Sequence, residues 1–86
     1  MSNCSTIMAI IQKNKIETAT KVQEVLTKNG CHIRIRLGLN EAKIGGCSDS
    51  GIILLQICTD DLSVVKIMEK ELNAIDNVRV KHMTLD

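Results

Sequence analysis

The sequence predicts an α+β sandwich built in the order strand–helix–strand–strand–helix–strand. Three observations predict it. Two segments repeat their apolar residues at helical spacing. Four others are short and either apolar on both faces or strictly alternating. Each helical segment lies between two of those strands.

Ser5 to Gln12 (STIMAIIQ) is the first strand, with Ile7, Ala9 and Ile11 on one face and Met8 and Ile10 on the other. Apolar residues on both faces put it in the middle of a sheet. Asn14 then opens a helix, and Glu17 three residues later fits a capping box. Ile16, Ala19, Val22, Val25 and Leu26 form its buried stripe, and Gly30 is expected to end it in the left-handed conformation. Cys31 to Leu39 (CHIRIRLGL) sets Ile33, Ile35, Leu37 and Leu39 against His32, Arg34, Arg36 and Gly38, the pattern of an edge strand.

Asn40 to Ser50 (NEAKIGGCSDS) breaks the alternation and is expected to be a hairpin loop longer than the usual ~2–5 residues. Gly51 to Thr59 (GIILLQICT) is a second central strand, with Ile53, Leu55 and Ile57 opposite Ile52, Leu54, Gln56 and Cys58. Asp60 or Asp61 caps a second helix whose stripe is Val64, Val65, Met68, Leu72 and Ile75. Asn77 to Leu85 (NVRVKHMTL) alternates as the last strand, with Arg79 and Lys81 on one face.

This order fits the ferredoxin-like βαββαβ pattern. Right-handed crossovers then give an antiparallel sheet in the order 4-1-3-2 with both helices on one face. The other face is expected to present Met8, Ile10, Ile52 and Leu54 beside Arg34, and an apolar strip on an open sheet marks an interaction surface. Residues 1–86 make one domain. The hydrophobic fraction is 44% with no Phe, Tyr, Trp or Pro, so the core is aliphatic and thin. A second copy is expected to cover part of it, as a homodimer or homotetramer.

The 11 basic and 10 acidic residues leave a net charge of +1, which is not the footprint of a phosphate-neutralising protein. Nucleic-acid domains of this topology stack bases on aromatic side chains of the central strands, and this chain has none, so nucleic acid is not an expected partner. No apolar run approaches the ~20 residues of a membrane span. Met1-Ser2-Asn3-Cys4 has no basic n-region, so the cytoplasm is the expected location, with Cys4, Cys31, Cys47 and Cys58 as thiols. No triad, phosphate loop, dinucleotide fingerprint or carboxylate pair is present, and no enzyme activity or cofactor is expected.

Two sets of residues are candidates for chemistry. The topology gathers Cys4, Cys31, His32 and Cys58 at one end of the sheet, with His82 near them. Thiolate and imidazole suit zinc, copper or iron. Yet no CxxC or HxxxH pair fixes a geometry, and alternation splits Cys31 from His32. The main expectation is no metal, with Cys4, His32, Cys58 and His82 as the alternative set. In the loop, Gly45-Gly46-Cys47-Ser48-Asp49 offers backbone N–H groups for an anion-binding nest and an accessible thiol; the plain alternative is a turn that the glycines permit.

The stretch IRLGLNEA, a loop cysteine, SGIILLQ and the closing NAIDNVRVKHM resemble the small ACT-like regulators of iron-only hydrogenase systems. The resemblance runs from Ile7 to Leu85 and is most specific over Arg36-Leu37-Gly38 and Gly51-Ile52-Ile53-Leu54. It implies an ACT-like fold and assembly through the sheets. Amino-acid-binding ACT domains often carry glycine in the first strand–helix turn, where this chain reads Gln12-Lys13-Asn14-Lys15. The expected function is a non-enzymatic ACT-like regulator that senses a small ligand or binds a partner protein. Its ligand-binding candidates are Arg36, Gly38, Asn40, Glu41, Gly45, Gly46, Cys47 and Ser48.

Overall fold

The chain's six elements follow from its apolar spacing, and the computed structural model describes residues 3–43 and 46–85, with the backbone alone at residues 15, 39–43 and 46–49. Strand β1 spans Thr6–Gln12, helix α1 Lys15–Lys28, strand β2 Ile33–Lys43, strand β3 Gly46–Ile57, helix α2 Leu62–Asn73 and strand β4 Val78–Thr84. A single 3-10 turn, Gly30–His32, leads from α1 into β2. The strands lie in the order β2-β3-β1-β4 with every neighbouring pair antiparallel, which is the order expected from the sequence read from the other edge.

The core lies between one face of the sheet and the helices. Met8 and Ile10 of β1, Ile53, Leu55 and Ile57 of β3, and Val78 and Val80 of β4 pack with Val22 and Leu26 of α1 and Val65, Met68 and Leu72 of α2. Burying each such aliphatic side chain contributes roughly 1.5–3 kcal/mol. Met8 and Ile10 are fully buried here, so their expected place on the helix-free face is corrected. A strand apolar on both faces does not reveal which face turns to the helices, and in β1 it is Ile7, Ala9 and Ile11 that turn away.

The helix ends also differ from expectation. Asn14 has φ 54°, and its side chain makes no cap bond. Its carbonyl instead accepts from Glu17 and Thr18 N–H at 2.9 and 3.1 Å, in the left-handed conformation that asparagine tolerates. Ile16, expected in the buried stripe, is 91% exposed because it falls in the first turn, ahead of the sheet contact. At the other end Gly30 is not left-handed. Asn29 closes α1 instead, its backbone N–H and its Nδ2 both donating to Val25 O, at 3.2 and 2.8 Å. The second helix behaves as read: Asp61 is its N-cap and accepts from Ser63 N–H at 2.9 Å.

The expected long loop is mostly strand. Residues 42 and 43 pair with 47 and 46, after an irregularity between Asn40 and Ala42. Since β1 reaches only to Gly51 of β3, the β2–β3 ribbon continues past the end of β1 by roughly 10–15 Å. No third strand pairs there among the described residues, and residues 40–50 carry no apolar alternation, which is why the sequence resembles a loop.

Candidate functional site

A bulge sets the facing of β2. Ile33 pairs with Ile57, and Ile35 pairs with Gln56, so Arg34 is the extra residue and the pattern inverts across it. Ile33 packs against the core, whereas Ile35 and Leu37 point to the helix-free side. Arg36 consequently lies on the helix side, where Nη1 donates to Gln23 Oε1 of α1 at 2.8 Å. Gly38 follows on that side, and a Cβ there would meet open space.

The register lines up the helix-free face in rows. One row crosses Ile35, Gln56, Ile7 and Met83, and the next Leu37, Leu54, Ala9 and Lys81. A third joins Ile52, Ile11 and Arg79. The face is apolar across β2, β3 and β1 apart from Gln56, and β4 contributes Met83, Lys81 and Arg79. Ile11, Ile35, Leu37, Ile52 and Met83 are 43, 54, 50, 37 and 57% exposed. Of the residues expected to form this face, Ile52 and Leu54 are on it. An open depression of about 980 Å³ continues from Ala9 and Ile11 to Lys13, Asn77, Arg79 and Lys81.

Some polar groups on the helix side are engaged with one another. Lys28 Nζ pairs with Glu71 Oε2 at 2.6 Å, tying α1 to α2. His82 Nδ1 pairs with Glu69 Oε2, tying β4 to α2. Asn73 Oδ1 accepts from Val80 N–H at 2.9 Å. No such pairing holds Arg79 or Lys81 among the described residues.

At the far end of the sheet, Cys4 and Cys58 form a disulfide across a sequence separation of 54. The expectation of free thiols is corrected here, and so is the alternative metal set. Two of its sulfurs are bonded to each other, and His82 is engaged with Glu69. Among the described residues no group of three His, Cys, Asp or Glu is placed to hold a metal ion. Cys31 is exposed and unbonded. His32 sits opposite Cys58, accepting its N–H at 2.7 Å through the backbone carbonyl. The Ser63 hydroxyl and backbone N–H hold the Asp61 carboxyl below its ordinary range, with a smaller pull from His32.

The remaining ligand candidates sit in the ribbon. Asn40, Glu41, Gly46, Cys47 and Ser48 are on strands β2 and β3, with Gly46 paired to Lys43. Their side chains, and Gly45 altogether, lie outside the described residues.

Solved structures share this arrangement. The uncharacterized protein TM1266 from Thermotoga maritima superposes with a TM-score of 0.81 and 25% identity, covering 94% of this chain and 95% of that one. The ACT domain of GTP pyrophosphokinase from Chlorobium tepidum gives a TM-score of 0.69 at 18% identity, covering 91% and 95%. The fold is ACT-like. A formyltetrahydrofolate deformylase from Pseudomonas putida contains the same ACT-like arrangement in part of its length, with a TM-score of 0.59, 11% identity, and coverage of 93% of this chain and 28% of that one. No family model and no curated protein sequence matches the chain. No helix of the ACT-like structure is long and apolar enough to cross a membrane, among the described residues.

Proposed function

We propose that this chain is a non-enzymatic, ACT-like regulatory subunit that assembles with copies of itself through the helix-free face of its sheet. The observation that carries the proposal is the exposure of Ile11, Ile35, Leu37, Ile52 and Met83 on that one face. Apolar side chains gathered on one face favour burial against a partner. On the helix side the exposed apolar residues Ile16, Leu62 and Ile67 lie among charged neighbours such as Lys66 and Glu17, whereas on the sheet they stand in adjoining rows. The β2–β3 ribbon projects beyond β1 and supports contact with the neighbouring copy.

Within this reading, a small ligand or a partner protein is bound beside the ribbon, by residues 36–48 and the adjoining copy. The resemblance from Ile7 to Leu85 to the regulators of iron-only hydrogenase systems supports a regulatory role in the cytoplasm. Light scattering of the purified chain at micromolar concentration tests the assembly. A dimer or tetramer is expected, and a 9.5 kDa monomer at all accessible concentrations contradicts it.

A further inference from the structure

We propose that the Cys4–Cys58 bridge is a reversible thiol–disulfide exchange site, open to low-molecular-weight thiols at the end of the helix-free face. Three features of the fold carry this. The first is position. Burial alternates from Ile53 in β3 to Thr59 just past its end, so Cys58 follows Gln56 on the helix-free side, and both bonded cysteines are only half-buried. Neither belongs to the hydrophobic core. Exchange requires an attacking sulfur to approach a bonded one, and a bond outside the core permits that approach.

The second feature is a frame that holds the cysteines opposite each other without the bond. Thr59 N–H donates to Asn3 O at 2.8 Å, and Leu85 N–H donates to Ser5 O at 2.8 Å. Asn3 N–H donates to Asp60 Oδ1 at 3.0 Å, and Gln56 Nε2 donates to Cys4 O at 2.9 Å. The N-terminal arm therefore stays docked when the sulfurs separate. Re-closure is an intramolecular step between groups already in place, with a high effective concentration. The third feature is the neighbour that Gln56 provides. It stands between Ile35 and Ile7 on the open face, so the arm and that face share a side chain.

The exchange runs in two balanced steps. A small thiolate attacks Cys58 Sγ, and the new S–S bond forms as the bond to Cys4 Sγ breaks. Cys4 leaves as a thiolate and takes a proton from water. A second small thiolate attacks the mixed disulfide, leaving as a small-molecule disulfide, while Cys58 is released as a thiolate and protonated. The protein disulfide gains two electrons and the two small thiols lose them. Oxidised small thiol drives the reverse.

The test uses the intact chain equilibrated with mixtures of reduced and oxidised glutathione, quenched with acid and alkylated, with each cysteine assigned by peptide mass. Circular dichroism on the same samples reports the fold. The expected result is that Cys4 and Cys58 gain and lose label together and reversibly as the glutathione ratio changes, while the protein stays folded. Cys31 is expected to carry either the alkyl label or a single glutathione and never to bond to Cys4 or Cys58. A second arm uses Cys4→Ser, which is expected to take one glutathione on Cys58 from oxidised glutathione while folded. A bridge that opens only after denaturation, cysteines 4 and 58 that never pair, or a folded Cys4→Ser protein that takes no glutathione on Cys58 would each overturn the proposal.

Discussion

Asn73, the last residue of α2, holds both backbone groups of Val80 in β4: Oδ1 accepts from Val80 N–H at 2.9 Å, and Nδ2 donates to Val80 O at 3.5 Å. The amide thus imitates a fifth strand at one point of the sheet edge. An edge covered in this way is protected from pairing with other chains.

Asn73→Ala removes that imitation strand and leaves Val80 without its partner. The expected cost is about 1–2 kcal/mol in urea denaturation. A greater tendency to aggregate on warming is expected to accompany it. An unchanged denaturation midpoint would show that water satisfies Val80 equally well.

Met8 and Ile11 stand on opposite faces of β1, and the same substitution separates their roles. Met8→Asp places a carboxylate in the aliphatic core and is expected to cost more than about 4 kcal/mol, enough to unfold a chain of this size. Ile11→Asp is expected to leave the chain folded and to lower its stability only through weakened assembly. Circular dichroism after thermal and urea denaturation checks both. Equal damage at concentrations too low for assembly would mean that β1 is buried on both faces within one chain.

Asp61 ties the start of α2 to pH. Its carboxyl is held below the ordinary range by the Ser63 hydrogen bonds, so the charged form is favoured in the folded state. That stabilisation is complete above the unfolded value, about 3.9, and is lost as pH falls through the lower folded value. Asp61→Ala is therefore expected to lower the urea midpoint at neutral pH, and the gap to the parent is expected to close in acid. A gap that does not change with pH would assign the effect to something other than the carboxylate.

The element order and the strand order were legible because they rest on periodicity, which β1, α1, β3, α2 and β4 display plainly. Facing was harder. β1 is apolar at Ile7, Ala9 and Ile11 as well as at Met8 and Ile10, and alternation alone cannot choose between two apolar faces. In β2 the bulge at Arg34 sends Ile33 to the core and Ile35 outward, and a uniform alternation hides such a break. The ribbon is not legible in the sequence because residues 40–50 carry no apolar alternation. Topology placed Cys4 and Cys58 at the same end of the sheet, but four cysteines allow six single bonds and three two-bond pairings besides free thiols, and the choice depends on register that the sequence does not display.

The helix-free face is the centre of the account, and the mass of a face variant in solution tests it most directly. Leu37→Asp with Ile52→Asp places two charges among the exposed apolar side chains while leaving the core untouched. Light scattering across a concentration series is expected to find the parent as a dimer or tetramer and the double variant as a folded monomer. A double variant that keeps the parent's mass at every concentration, or a parent that is itself monomeric throughout, would contradict assembly through this face.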